Sequence, residues 1–81
     1  MNKEEYIKKE QELIDKQYEI IEKISELRNK KRLSQRDLAT IIDMKQPALA
    51  RIENNVNSPK LSTILKILDV LGYTLEIKKK S

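Results

Sequence analysis

A short segment near the middle of this 81-residue sequence carries side chains that can recognise the edges of nucleic-acid bases. Gln46 can form two parallel hydrogen bonds with adenine, and Arg51 can form two with guanine. Small apolar groups such as Ala48 and the ring of Pro47 can contact the methyl group of thymine. Lys45 carries a positive charge that suits a base edge or a phosphate. These residue types therefore indicate nucleic-acid recognition, provided that one structural element presents them together.

The same sequence is a poor candidate for catalysis. It contains no His and no Cys, and Gly72 is its single glycine. The usual sets of nucleophile, base and metal ligands that use His or Cys, and a glycine-rich phosphate loop, are therefore missing. We expect no enzymatic activity, no cofactor and no metal site.

Charge is distributed unevenly along the chain, whose formal net charge is +4. Residues 1–30 contain seven basic and eight acidic residues, whereas residues 31–81 contain ten and five. A basic second part is typical of nucleic-acid binders, although proteins that bind nothing also show such a surplus. The sequence has no apolar run of the roughly 18 residues that span a bilayer, and acidic residues stand where a signal peptide would be basic. We expect a cytoplasmic protein with no membrane partner.

Two short helices should surround a tight turn at Asp43. Ser34, with Asp37 three residues later, predicts the start of the first helix, which extends to about Ile42. Asp43 can adopt the left-handed conformation that ends this helix. Pro47 suits the first turn of the second helix, and the asparagine pair that follows predicts its end.

Apolar residues in these two helices recur at positions that would pack them at a steep angle, with Met44 in the corner. This arrangement is a helix-turn-helix, whose second helix places its N-terminal part in the major groove of DNA. There, the segment from Lys45 to Arg51 would face base edges or phosphates. The apolar positions are Leu38, Ile41, Ile42, Leu49 and Ile52.

A last helix and a strand should follow. The helix begins after Pro59 and ends at Gly72. Beyond it, Tyr73, Leu75 and Ile77 alternate with polar residues, which predicts a strand. Because the chain offers this strand no partner, we expect it to pair with the strand of a second copy. The inward positions predicted for the helix are Leu61, Ile64, Leu65, Leu68 and Leu71. Core positions in any arrangement are Leu38, Leu49, Ile52, Ile64 and Leu68.

The size of the chain also favours self-association. A domain this small buries only about 60% of the surface that its unfolded chain exposes. With no cysteines for a disulfide and no Cys or His to hold a structural metal, the chain has neither of the common stabilising links. A homodimer is therefore the default expectation.

Residues 1–19 predict a charged, amphipathic helical extension. Asn2 with Glu5 matches a capping box, and one long helix or two nearly collinear helices should extend to about Lys31. A polar stretch interrupts the apolar stripe of this segment, so the pattern is weaker than a coiled-coil seam. The stripe either covers the core of the protein or binds a partner. The candidates for partner binding are Tyr6, Ile7, Leu13, Ile14 and Tyr18.

Several segments of the chain together resemble the lambda-repressor-like (Cro and XRE type) family. They are Leu33-Ser34-Gln35, Leu38-Ala39, Met44-Lys45-Gln46 and Leu49-Ala50-Arg51-Ile52-Glu53. The resemblance covers about residues 20–72. The fold that we expect is all-α: a lambda-repressor-like helix-turn-helix bundle with a long N-terminal helix and a short C-terminal β-strand that pairs across a dimer.

The resemblance also implies roles for individual residues. Gln35 would hold a phosphate, and Gln46, Pro47 and Arg51 would face bases. Arg28 and Glu53 match a family ion pair that joins the first helix of the domain to the second helix of the helix-turn-helix, called the recognition helix. Two alternatives stay open: Gln35 could be merely solvated, and Arg51 could contact phosphate alone.

Three positions depart from the family pattern. Asp43 replaces a common glycine, and Lys45 and Pro47 stand where Ser, Thr or Gln is frequent. The operator sequence therefore does not follow from the resemblance.

Within this family, the charged extension, the segment Gln46–Glu53 and the ending Leu71–Ile77 are similar to antitoxins of the host-inhibition-of-growth type. This similarity implies a transcriptional repressor of its own operon that also neutralises a small basic toxin protein. The alternatives are a stand-alone or phage-type repressor, or a protein-interaction module without DNA binding. A DNA-binding dimer would occupy an inverted-repeat operator. We expect an extension (residues 1–19), a DNA-binding domain (20–72), and a dimerisation strand with a basic tail (73–81).

Overall fold

The computed structural model describes residues 1–81, which form four α-helices and no β-strand. The helices are α1 (Lys3–Lys30), α2 (Gln35–Ile41), α3 (Gln46–Glu53) and α4 (Leu61–Leu71). The second half of α1 and the three shorter helices enclose one core. The expected all-helical bundle is therefore confirmed.

Helix α1 is one continuous helix, which decides between the two possibilities left open by the sequence. Its N-terminus is capped by Asn2, whose side-chain oxygen accepts a hydrogen bond from the backbone N–H of Glu5 at 2.8 Å. Residues up to Ile20 are exposed except the half-buried Lys9, and Ile21 is the first to enter the core. Neither α1 nor a shorter helix combines the length and apolarity that a membrane span requires.

The core is formed by one face of each helix. All five core positions expected in any arrangement are buried, and the half-buried Met44 packs against them as predicted. Helices α2 and α3 are in contact with each other, and each also packs against a longer helix. The corner between them therefore rests on a scaffold made by α1 and α4. The other core members are Ile21, Ile24, Ala39, Ile67 and Leu71.

Three apolar residues predicted to face inward are exposed instead. Leu61 and Leu65 of α4 and Ile41 of α2 lie at the surface, whereas Ile67, which the prediction omitted, is fully buried. Both sets of α4 positions have helical spacing, and they differ by a rotation of the helix about its axis. The packing of α4 against both α1 and α2 selects one stripe, and short-range sequence spacing does not contain that information.

All four helices end with the same motif. A residue in the left-handed region follows the last turn, and the next N–H donates to the carbonyl oxygen five residues earlier, at 2.8 to 3.2 Å. This hydrogen bond satisfies a carbonyl that the helix leaves unpaired. The predicted endings at Asp43 and Gly72 are confirmed. The four left-handed residues are Arg32 (φ 61°), Asp43 (55°), Asn55 (58°) and Gly72 (87°).

The C-terminal segment 73–81 forms neither helix nor strand. The predicted strand is thus absent from the single chain, because a strand needs a neighbour for its backbone hydrogen bonds and this chain supplies none. Leu75 lies in a groove beside Ile20 of α1, whereas Ile77 is fully exposed.

Candidate nucleic-acid interface

The N-terminal ends of α2 and α3 meet through two glutamines. The side-chain Nε2 of Gln46 donates a hydrogen bond to Oε1 of Gln35 at 2.9 Å, and both residues are half-buried. Gln35 begins α2 and Gln46 begins α3, so the turn between the helices brings together residues eleven positions apart in sequence. The hydrogen bond restricts both amides to one orientation.

The direction of this hydrogen bond suits two different ligands. Gln46 keeps its Oε1 acceptor and its second N–H, which match the N6 donor and N7 acceptor of adenine. Gln35 keeps both N–H groups, while its oxygen is occupied, so it presents donors. Phosphate oxygens only accept hydrogen bonds. The pair can therefore contact a base through Gln46 and a phosphate through Gln35.

The outer face of α3 carries the remaining candidates. Pro47 and Arg51 are four residues apart, so they share one side of the helix, and both are exposed. Ala48 is half-buried beside them. The opposite side of α3 holds the buried residues Leu49 and Ile52. Helix α3 thus turns its core face inward and leaves a surface of small and hydrogen-bonding groups.

Lys45 occupies the N-cap position of α3 and makes no capping hydrogen bond through its side chain. Its ammonium group is exposed and forms no ion pair within the chain. A cation at this position is available to an anionic ligand.

A buried ion pair fixes the far end of α3. The guanidinium of Arg28 on α1 contacts both carboxylate oxygens of Glu53, with the two shortest distances at 2.9 Å. The hydroxyl of Ser25 donates a further hydrogen bond to Glu53 at 2.8 Å. Arg28 also donates to the carbonyl oxygen of Leu33 at 2.7 Å. These hydrogen bonds join α1, the α1–α2 turn and α3, so they hold α3 in one position.

A capping box fixes the start of α2. The hydroxyl of Ser34 accepts from the N–H of Asp37, and the Asp37 carboxylate accepts from the N–H of Ser34, both at 3.0 Å. The hydrogen bond that the carboxylate accepts from the backbone N–H of Ser34, and then its interaction with the Ser34 side chain, lower the pKa of Asp37 below its ordinary value. The ionised carboxylate therefore belongs to the structure that positions Gln35.

One group of exposed residues was missed in the sequence analysis. Four exposed basic residues surround the α1–α2 turn, each within four residues of Ser34: Lys30, Lys31, Arg32 and Arg36. The sequence does contain this cluster, because four of the seven residues from 30 to 36 are basic. Counting the charges of residues 1–30 and 31–81 separately divided the cluster between the two parts, so it was not noticed.

The other candidate residues lie on different surfaces. Tyr6, Ile7, Leu13, Ile14 and Tyr18 are exposed along the first half of α1, and Tyr73, Leu75 and Ile77 are exposed on the C-terminal segment. No group of three or more acidic, His or Cys side chains comes together in a way that could hold a metal ion.

Known proteins share both the sequence pattern and the fold. A family model described as Helix-turn-helix matches residues 24–78. The chain is 49% identical over 45 residues to an uncharacterised HTH-type transcriptional regulator of Haemophilus influenzae, a match that covers 56% of this chain and 46% of that protein. The chain therefore spans about half the length of that relative.

A solved structure of a toxin–antitoxin module from Streptococcus pneumoniae is similar over the whole chain. The TM-score is 0.67 and the sequence identity 34%, with 100% of this chain and 84% of that chain covered. Because the family model matches more than half of the residues, including the α2–α3 corner, the chain belongs to the helix-turn-helix family of the Cro/XRE type.

Proposed function

We propose that this protein is a dimeric, sequence-specific repressor that binds double-stranded DNA through α3. The observation that carries the proposal is the Gln35–Gln46 hydrogen bond. It orients the two N–H donors of Gln35 and the free N–H and oxygen of Gln46 on one surface. Residues 20–72 form the DNA-binding part. Occupation of an inverted-repeat operator would exclude other proteins from a promoter that overlaps it. The two recognition helices of the dimer would enter successive major grooves about 34 Å apart.

The residues of the interface divide into two roles. Gln35 and Lys45 contact phosphates, which position the protein without distinguishing sequences. Gln46 contacts a base edge, and the apolar surfaces of Pro47 and Ala48 contact base methyl groups. Arg51 donates two hydrogen bonds to guanine.

A titration monitored by fluorescence anisotropy tests this division. The labelled DNA is the region upstream of the protein's own reading frame, with excess nonspecific competitor. Gln46→Ala and Arg51→Ala should each weaken operator binding by about 1 to 3 kcal/mol, because each removes a base contact. Lys45→Ala, which removes only a proposed phosphate contact, should weaken binding to all sequences alike. Gln35→Ala should weaken binding to all sequences and also lower the preference for the operator, because it frees the amide of Gln46. Gln11→Ala, which removes an exposed glutamine on α1, serves as the matched control.

Two results would contradict the proposal. If wild-type protein fails to bind any duplex at moderate salt, the DNA-binding function is wrong, and a protein-interaction module becomes the better description. If it binds but Gln46→Ala and Arg51→Ala bind the operator as tightly as wild type, the assignment of base contacts is wrong.

The C-terminal segment supplies the surface for dimerisation. Tyr73, Leu75 and Ile77 are apolar and exposed, and they alternate with polar residues. Pairing of two such segments in antiparallel orientation would satisfy their backbone groups and cover these side chains. The following basic tail would extend from the edge of this pairing.

Sedimentation equilibrium of two neighbouring variants tests the dimer. Ile77→Ser should form more monomer than wild type at the same concentration, because it removes an apolar side chain from the interface. Glu76→Ser changes a polar residue on the other face and should leave the dimer intact. Equal dissociation constants for the two variants would exclude this segment as the interface.

A second function, binding of a small basic toxin, is favoured by the first half of α1. Apolar couples recur here every seven residues, at Tyr6–Ile7 and Leu13–Ile14. All four side chains are exposed, and only Leu13 among them borders the groove that also contains Leu75. The single side-chain hydrogen bond from residues 1–19 to another element joins Gln17 to Ser58. Residues 1–19 contain four basic and six acidic residues, which favours a basic partner. The similarity to a toxin–antitoxin module extends over this segment.

Copurification with the product of a neighbouring reading frame tests the toxin proposal. A small basic protein encoded there should form a complex that survives size exclusion. Leu13→Asp should disrupt the complex, whereas Asp15→Asn, on another side of α1, should preserve it. A stable complex that tolerates Leu13→Asp would place the contact elsewhere, and the absence of any such complex would favour a stand-alone repressor.

A further inference from the structure

Arg32 occupies a backbone conformation that does not suit its residue type. It closes α1 with φ of 61°, at the position where helix endings favour glycine. At the other three helix ends the corresponding residues are Asp43, Asn55 and Gly72. Glycine adopts the left-handed region freely, and Asn and Asp tolerate it, but a long side chain raises the free energy of the folded state. Arg32 is therefore the exception among the four.

The surrounding structure holds Arg32 in this conformation. Its N–H donates to the carbonyl oxygen of Asn29 at 2.9 Å, and the N–H of Leu33 donates to that of Arg28 at 3.2 Å. The carbonyl of Leu33 in turn accepts from the buried guanidinium of Arg28. Backbone strain of this kind persists only where neighbouring contacts determine the conformation, and it concentrates at functional sites.

No contact within the chain accounts for an arginine side chain at position 32. It is exposed and forms neither an ion pair nor a hydrogen bond there. Three further exposed cations, Lys30, Lys31 and Arg36, flank it. Two acidic residues are close by in sequence: the Asp37 carboxylate is engaged by Ser34, and Glu26, four residues before Lys30, forms no ion pair with it. The turn is thus a concentrated positive charge without an internal counterion.

This positive turn adjoins the candidate interface. Arg32 precedes Gln35 by three residues, a span of at most about 10 Å. Gln35 is hydrogen-bonded to Gln46, at the N-terminal end of the recognition helix. A duplex that received α3 in its major groove would bring the phosphates along the edge of that groove toward this turn.

We infer that residues 30–36 form a phosphate-binding site for the DNA backbone, with Arg32 as its central contact. The inference rests on the proposed DNA-binding function and adds a contact outside the helix-turn-helix corner. Its ligand is the phosphodiester group, so it strengthens binding to every duplex and does not select a sequence. The cation is retained at the cost of a less favourable helix ending.

The Arg32→Gly variant tests this inference because two measurements should move in opposite directions. The melting temperature should rise by about 4 to 8 °C, since glycine relieves the left-handed strain. Affinity for operator and for nonspecific duplex should fall by the same factor. The slope of log K against log salt is negative, and its magnitude should decrease by about 0.9 for each bound protomer, the value for one lost phosphate contact. Arg32→Lys keeps both charge and strain, and should retain the salt slope without the gain in melting temperature.

Three outcomes would overturn the inference. Unchanged affinity and salt slope for Arg32→Gly, with wild type still binding, would remove the phosphate contact but leave the proposed function intact. A melting temperature that falls would show that arginine serves the helix ending itself. Failure of wild type to bind either duplex would remove the proposed function and this inference together.

Discussion

The two halves of α1 share one sequence pattern but differ in environment. Ile7, Ile14 and Ile21 are spaced by seven residues and therefore occupy the same side of the helix. Their exposed fractions are 55%, 38% and 1%, so only the last belongs to the core. The difference teaches that a periodic apolar pattern gives stability only where another element covers it. In the first half the pattern exists without a covering element, which is why we assign it to a contact outside the chain.

The largest expected difference between the halves concerns their ion pairs. Glu53→Ala leaves Arg28 buried without its partner and should lower the free energy of unfolding by about 3 to 5 kcal/mol. Glu12→Ala removes the exposed Lys9–Glu12 ion pair of the first half and should change the free energy of unfolding by about 0.5 kcal/mol or less. Urea denaturation measures both.

A double variant controls for the charge left behind. Arg28→Met with Glu53→Leu removes both charges and should be much less destabilising than Glu53→Ala alone. If Glu53→Ala unfolds at the same urea concentration as Glu12→Ala, the buried pair contributes nothing to the second half of α1.

Two isoleucines at equivalent positions give the next comparison. Ile21→Ala opens a cavity in the core and should cost about 2 to 5 kcal/mol. Ile14→Ala removes a side chain that no other element covers and should stay within about 0.5 kcal/mol for the isolated protein. Thermal or urea unfolding of the two variants, with amide hydrogen exchange along α1, checks the prediction. A large loss from Ile14→Ala in the absence of a partner would show that the first half is packed after all.

The smallest effect concerns the pH dependence of the packed bundle, at the start of α2. Because the pKa of Asp37 is lowered in the folded state, its stabilising contribution is complete above the ordinary aspartate value of about 3.9. It is lost as the pH falls through the lower, folded-state pKa. The difference in melting temperature between wild type and Asp37→Asn should therefore shrink toward acid pH.

Thermal melts from about pH 6 to about pH 2 check this sign. Ser34→Ala retains the backbone hydrogen bond to Asp37 but loses the hydroxyl, so it should reduce only part of the pH dependence. A difference that grows toward acid pH would contradict the capping role of the ionised carboxylate.

Local features of the fold could be predicted from the sequence because short-range chemistry determines them. Ser34 with Asp37 marked the start of α2, and Asp43 and Gly72 marked helix ends, since each depends on the conformational preference of one residue or on a hydrogen bond within one turn. The buried positions Leu38 and Leu49 followed from spacing.

Features that depend on packing could not be predicted in the same way. The choice of Ile67 over Leu65 depends on how α4 meets α1 and α2, and both residues fit a helical stripe. The Gln35–Gln46 hydrogen bond joins two helices and exists only once their angle is set. The Arg32 ending was missed because no glycine or asparagine marks it.

The continuity of α1 has a mechanical consequence. Tyr6 and Arg28 are 22 residues apart on one helix, which corresponds to about 33 Å at 1.5 Å per residue. Arg28 is anchored to Glu53 at the end of α3. The helix is therefore a lever arm: a sideways force at its N-terminal part produces a torque at the anchor that grows with this length. A bound partner at Tyr6 would act on the orientation of the recognition helix with a greater moment than the same force applied anywhere on the packed bundle.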